Sequence, residues 1–174
     1  PLAEVDLPLP LRSLLQRRGI RTAEAAEHLL DPPELPDPEQ EFPDLATAAE
    51  RLAQACRRAE SLAICGDYDA DGMTSTALLM RALEAMGACP QAAIPSRMED
   101  GYGLNTGMVE SLHAEGVRLL VTVDNGVAAH DALTKASELG VEVILTDHHT
   151  LPDSPLNVLC LLHPSVTPQD SPYR

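Results

Sequence analysis

The sequence predicts an α/β fold: a three-layer sandwich around a mostly parallel sheet, preceded by a short helical arm. Two observations predict it. Apolar runs of strand length recur at 61–65, 118–123, 141–146 and 158–162, and segments of helical period lie between most of them. Three of these runs end on acidic residues. In a parallel sheet such acids meet at the carboxyl edge of the strands, where ligands bind.

From the amino terminus, Leu11, Leu14 and Leu15 share one face of a first helix, and Arg12, Arg17 and Arg18 share the other side. Gly19 ends that helix. Thr22 caps a second one running to about Leu30, with Glu24 in its first turn. Pro32, Pro33, Pro36, Pro38 and Pro43 make 31–43 an extended connector. Arm and connector therefore occupy 1–43, and the α/β domain 44–174. An Ala-rich helix covers about 45–59, and the strand 61–65 follows. The segment 73–87 has helical period and is apolar on most sides, as expected of a helix sandwiched between layers. A weak strand at 91–94 and a short helix at 108–114 precede the buried strand 118–123. A helix at 129–139 and the strands 141–146 and 158–162 complete the pattern. This alternation reads as right-handed βαβ units.

Composition excludes several functions. Against 27 Asp and Glu stand 12 Lys and Arg, a net charge of −15 over 174 residues. A nonspecific nucleic-acid clamp within this segment needs a basic face, and so does a cationic membrane-surface module. No apolar run approaches the roughly 20 residues of a spanning helix, and no secretory signal pattern is present. Aromatic residues total 2% with no Trp, which argues against a stacking platform for bases. Cys56, Cys65, Cys89 and Cys160 form no Cys-x-x-Cys pair. They are expected to be small buried thiols of a cytoplasmic protein.

The acids carry the chemistry. The first strand runs into Gly66-Asp67-Tyr68-Asp69-Ala70-Asp71-Gly72, the strand 118–123 into Asp124-Asn125-Gly126, and the strand 141–146 into Asp147-His148-His149. Two carboxylates about 4 Å apart repel by roughly 4 kcal/mol at an effective dielectric of 20. Five acids cannot share a crevice ionised without cations between them. Oxygen-rich donors with an imidazole suit Mn²⁺ or Mg²⁺. A carboxylate shared by two ions holds them roughly 3.5–4 Å apart, the spacing of two-metal phosphoryl-transfer sites.

Singly, each stretch has a plainer reading. Asp67 to Gly72 resembles the start of an EF-hand loop, but the twelfth position is Leu78 and a strand precedes it. Asp124-Asn-Gly alone reads as a turn, and Asp147-His-His alone as a solvated loop. Their common position after strands joins them into one signal. Beside them, Gly72 allows close backbone approach, and Thr74, Ser75 and Thr76 start the next helix. Free N–H groups there favour a phosphate, with Thr74 and Ser75 as substrate contacts and capping by Thr74 as the plainer role. The Gly-rich turn 95–103 carries Arg97, a fork for a phosphate.

The stretches 66–76, 94–104, 121–126 and 146–149, together with 17–30, resemble the DHH phosphoesterase superfamily. Within it they are most similar to the branch of single-strand-specific 5′→3′ DNA exonucleases. The resemblance implies Asp69, Asp71 and His148 as metal ligands, Asp124 as the carboxylate bridging two Mn²⁺ or Mg²⁺ ions, and His149 as the residue meeting the scissile phosphate. It implies Asp67 as a near-site acid, Asp147 as the partner orienting an imidazole, and Arg97 on DNA phosphate. It further implies single-stranded DNA as substrate, a role in repair and recombination, a helicase and a single-strand-binding protein as partners, and a monomer.

Two departures stand out. Cys65 occupies a position where many members carry His, and no acid after His149 has the setting of the expected fourth-motif ligand, since Asp153 and Asp170 lie in Pro-rich stretches. The expectation is a catalytic domain incomplete at its carboxyl end, inactive or weak by itself. A phosphodiesterase for cyclic dinucleotides or very short RNA, and a non-catalytic scaffold with the same fold, are the alternatives.

Overall fold

The computed structural model describes residues 2, 5–31, 34–96 and 101–174. They divide into two compact units, Pro1–Pro36 and Asp37–Arg174.

In the first unit, helices α1 (Leu9–Arg17) and α2 (Ala23–Leu30) enclose a small core of Leu2, Leu15 and Ala26, with Val5, Leu7, Leu11 and Ile20 packed against it. The Thr22 hydroxyl caps α2 by accepting from the Ala25 N–H at 3.1 Å. The apolar face of α1 is narrower than its spacing predicts, because Leu14 is exposed. Arg12 does not stand with the other arginines in solvent. Its Nη2 donates to the carbonyls of Val5 and Leu7 at 3.0 and 3.3 Å.

In the second unit, the expected extended connector is interrupted by a helical turn, α3 (Pro38–Glu41). Asp37 caps it by accepting from the Glu39 N–H at 3.0 Å, and Pro38 sits where no N–H is needed. The division between the units consequently falls after Pro36 rather than after residue 43. There follow α4 (Leu45–Arg58), β1 (Leu62–Cys65), α5 (Ala70–Ala85), β2 (Gln91–Ala93), α6 (Thr106–Ala114), β3 (Leu119–Val123), α7 (His130–Glu138), β4 (Glu142–Thr146), β5 (Cys160–Leu162) and a 3₁₀ turn at Pro164–Val166.

All strand pairs are parallel, in the order β2-β1-β3-β4-β5. Strand period 2 splits the core into two layers. Ala63, Cys65, Leu120, Val143 and Leu145 pack with Val109, Leu112, Leu133 and Ala136 of α6 and α7. Leu62, Ile64, Leu119, Val121 and Ile144 face the other way, against Ala48, Ala55 and Leu83 of α4 and α5. Burying one such Leu or Ile contributes about 1.5–3 kcal/mol.

Two expectations about these layers fail. Helix α5 is not sandwiched: Leu79, Met80 and Leu83 meet the core while Met73, Leu78 and Met86 are exposed, Leu78 at 73%. One helix face suffices to cover one side of a sheet, whatever the residues on its other face. Cys65 and Cys160 are buried, whereas Cys89, in the turn between α5 and β2, is exposed.

The strand order places the site. From β1 the chain goes to β2 on one side and then returns to β3 on the other. The reversal opens a crevice at the carboxyl ends of β1 and β3, the topological switch point of a parallel sheet. Among the described residues no helix is long and apolar enough to cross a membrane.

Candidate metal centre

Helix α5 starts a full turn earlier than its apolar period predicts, because Asp69 is its N-cap. The Asp69 Oδ1 accepts from the Gly72 N–H at 2.9 Å. Gly72 is required there. A Cβ would stand 2.6 Å from the Asp67 nitrogen and 2.7 Å from its carbonyl oxygen, both backbone atoms. The close approach folds Asp67 inward. Its residue is fully buried, and neither carboxyl oxygen has a hydrogen-bond partner, although burying an unpaired carboxylate is costly.

Asp124 follows β3 with φ 63°. That left-handed conformation costs about 1–2 kcal/mol for an L-residue, least for Asp and Asn. It is held by three neighbours. The Asp124 N–H donates to the Thr146 carbonyl at 3.1 Å, and its own carbonyl accepts from the Tyr102 hydroxyl at 3.3 Å. The Asn125 amide donates to the carbonyls of Cys65 and Val123, both at 3.0 Å, and accepts from the Leu104 N–H at 3.0 Å. Asn125 thus ties β1, β3 and the loop before α6 together. The Asp124 Oδ1 lies 2.8 Å from His148 Nε2.

Asp147, at the end of β4, organises the third stretch. Its Oδ1 accepts from the N–H groups of His148 and His149 at 2.7 and 3.0 Å and lies 2.7 Å from His149 Nδ1. Its Oδ2 accepts from the Val127 N–H at 3.1 Å. With Nδ1 committed to Asp147, His149 presents Nε2 outward, 3.4 Å from the Tyr102 hydroxyl. Ligand atoms of Asp124, His148 and His149 all lie within 4.8 Å of one another. The His148 and His149 rings are 4.8 Å apart.

Electrostatics separates these groups. Burial and then the charge of Asp69 raise the Asp124 carboxyl above its ordinary value, outweighing the His148 hydrogen bond. Burial also pushes Asp147 upward, but the donors from His149, Val127 and His148 win and hold it below the usual range. The bond to Asp147 raises His149 against its burial, helped by the charges of Asp147, Asp124 and Asp69. Tyr102 is pushed up to about 12 by desolvation and by Asp67, Asp124, Asp147 and Asp69.

Asp71, Ser75, Asp124, Thr146, Asp147 and His148 line an open pocket of about 320 Å³. A larger hollow of about 490 Å³ beside Arg51 and Glu142 is not a rival, because Arg51 is already paired with Glu142 at 2.7 Å and with Glu60 at 2.6 Å. No Lys or Arg among the described residues lines the acidic pocket. The donor set is carboxylate oxygen and imidazole nitrogen, with two buried, unpartnered oxygens on Asp67. These residues fit divalent, oxygen-seeking cations of the Mn²⁺ and Mg²⁺ kind.

The structure brings most of the predicted residues to this crevice, in different roles. Asp124, His148 and His149 form the tight group, Asp71 and Ser75 share the pocket wall, and Asp69 acts on Asp124 through its charge while capping α5. Asp147 stands behind His149. Thr74 is a correction: it neither caps α5 nor offers a free N–H. It lies in the second turn, with its hydroxyl donating to Ala70 and Asp71 carbonyls at 2.7 and 3.3 Å. Arg97 lies outside the described residues. The sequence points to the Gly-rich turn around Tyr102 but not to Tyr102 itself, and not to Asn125, because Asp-Asn-Gly reads as a turn. Tyr102 meets Tyr68 and His149 edge-on at 6.2 and 6.1 Å.

Fold and site together define an α/β domain with divalent-cation donors gathered at the carboxyl edge of a parallel sheet. The chain belongs to the DHH family: the model of the DHH family, N-terminal domain, matches residues 61–172. It is 37% identical over 170 residues to the single-stranded-DNA-specific exonuclease RecJ of Escherichia coli K12, covering 97% of this chain and 29% of that protein. Among solved structures it is similar to exonuclease RecJ bound to manganese, with TM-score 0.68, 44% identity and coverage of 74% of this chain and 33% of that one. It is similar also to RecJ from Thermus thermophilus in complex with Mn²⁺, with TM-score 0.68, 37% identity and coverage of 91% and 22%. The chain thus spans about a quarter of the length of the curated relatives it matches.

Proposed function

We propose that these residues form the amino-terminal part of the catalytic domain of a Mn²⁺- or Mg²⁺-dependent exonuclease that hydrolyses single-stranded DNA from its 5′ end. The observation that carries this reading is the convergence of Asp124, His148 and His149 within 4.8 Å, beside the buried, unpartnered carboxylate of Asp67. The exonuclease relatives and the manganese-bound structures support it. The same reading implies a monomer working in the cytoplasm in DNA repair and recombination, with a helicase and a single-strand-binding protein as partners.

In this function Asp124 and His148 hold cations, with Asp69, Asp71 and Asp67 supplying further carboxylate oxygens. When bound, the ions supply Lewis acidity and an activated water. The chain's own residues do the rest. Asp147 fixes the His149 tautomer and aims Nε2 outward. The raised affinity of His149 for a proton lets that nitrogen donate to a phosphate oxygen as charge develops there. The carbonyl bond from Tyr102 and the Asn125 clamp hold Asp124 in its strained conformation.

The test uses the full-length enzyme with Mn²⁺ and three substrates: 5′-labelled single-stranded DNA, the same strand labelled at 3′, and a cyclic dinucleotide. Release of labelled mononucleotide first from the 5′ end, abolished in Asp124→Ala, is the expected result. Hydrolysis of the cyclic dinucleotide alone, or unchanged turnover in Asp124→Ala, would overturn the proposal.

A further inference from the structure

His163 is the first residue after β5 and is only 2% exposed. Both of its ring nitrogens are engaged. Nδ1 accepts from the Ser165 N–H at 3.0 Å, capping the 3₁₀ turn. A nitrogen that accepts carries no proton, so the neutral ring keeps its proton on Nε2. Nε2 lies 2.7 Å from the main-chain carbonyl of His149 and donates to it.

The location of this bond matters. The β4–β5 ladder ends with the Asp147 N–H donating to the Leu162 carbonyl at 3.3 Å. Beyond that point residues 148–150 have left the sheet, and no ladder bond fixes them. The His149 N–H and Nδ1 both engage Asp147 Oδ1, which constrains one side of the residue. The bond from His163 constrains the other side, the peptide carbonyl. Besides the 3.4 Å contact of Nε2 with the Tyr102 hydroxyl, the bond from His163 is the one that holds the peptide carbonyl of this residue.

We propose that His163 is a positioning residue. By holding the His149 carbonyl, it sets the direction in which His149 Nε2 faces the crevice. The inference rests on the proposed hydrolytic function, in which that nitrogen meets the phosphate. A misplacement of about 1 Å at such a group costs as much as 100-fold in rate.

Two substitutions divide the two bonds of His163. In His163→Asn the side-chain oxygen still reaches the Ser165 N–H, but nothing reaches His149. In His163→Gln the terminal amide nitrogen takes the place of Nε2 and still donates to the His149 carbonyl. In the full-length enzyme with Mn²⁺, His163→Asn is expected to lower kcat by about 10–100-fold with KM within about threefold. His163→Gln should recover most of the loss.

Imidazole nitrogen shifts of the metal-free full-length protein, histidine-labelled and read by NMR in chelator, supply a readout that needs no activity. The His149 ring shifts should match wild type in His163→Gln and move away from it in His163→Asn, while the tautomer set by Asp147 stays the same in all three. A His163→Asn protein with wild-type shifts and kcat would overturn the proposal. So would a His163→Gln protein that stays as impaired as His163→Asn, or a His163→Asn protein that unfolds, since each makes the ring a structural cap. If the wild-type enzyme hydrolyses no phosphodiester, the functional proposal fails, while the NMR result still decides whether His163 holds His149.

Discussion

Replacing Asp147 with Ala removes one carboxylate and four hydrogen bonds at once. The side chain is 1% exposed and accepts from Val127, His148 and His149 main-chain N–H groups and from His149 Nδ1. Val127 is buried, so its N–H is orphaned at a cost of about 1–3 kcal/mol. The N–H groups of His148 and His149 belong to exposed residues and can reach water, which reduces their share to a few tenths of a kcal/mol each. The imidazole bond is half-exposed and screened, adding up to about 1 kcal/mol. The sum is about 2–4 kcal/mol. For a chain of this length that lowers Tm by about 5–12 °C.

The assay is thermal unfolding of the 174-residue chain by circular dichroism, with chelator present so that cation binding does not contribute. The sign of the pH dependence checks the cause. Asp147 is held below its ordinary value of 3.8, so its contribution is present above that pH and is lost as pH falls through the lower folded-state value. The gap between wild type and Asp147→Ala should therefore be widest at neutral pH and close in strong acid. A Tm change under about 2 °C at neutral pH, or a gap that stays constant into acid, would refute the assignment of Asp147 as the anchor of this loop.

Three further outcomes are expected. Asp124→Asn keeps a residue that tolerates φ 63° and removes a charge that burial and Asp69 disfavour. It should leave Tm equal or higher in chelator while weakening Mn²⁺ binding at least about tenfold by calorimetry, a loss of about 1.4 kcal/mol. Gly72→Ala forces a Cβ against the Asp67 backbone at 2.6–2.7 Å, where the main chain itself must shift. It should cost about 1–3 kcal/mol in urea unfolding, and a midpoint equal to wild type would contradict the close approach. The raised His149 adds stability that is fully present below its ordinary value of 6.5 and lost as pH rises through the higher folded value. In chelator, Tm should accordingly fall from near neutral into mild alkali in wild type and fall less in His149→Gln, with parallel curves counting against the Asp147–His149 bond.

Element type and order were legible in the sequence because local pattern fixes them. The strand at 119–123 is buried throughout, and an unbroken apolar run of that length has few other uses. Boundaries were less legible where a polar side chain rather than an apolar period sets them. Asp69 starts α5 before its apolar residues begin, and Asp37 starts α3 inside a Pro-rich stretch. The site was readable as acids after strands, since parallel strands bring their carboxyl ends to one edge whatever the connections are.

The sequence by itself determined that carboxylates and imidazoles would share a crevice, because charge, strand period and chain direction are local properties. Only the tertiary structure decided what each of them does there. Asp147, expected to orient an imidazole, also took the Val127 and His148 N–H groups while lining the pocket, Thr74 turned away into its helix, and Asn125, Tyr102 and His163 joined the site from positions 14 to 60 residues distant from their partners. Hydrogen-bond partners are chosen by the few ångströms and degrees that packing leaves between groups. Those quantities depend on sheet order and register, which no residue specifies alone.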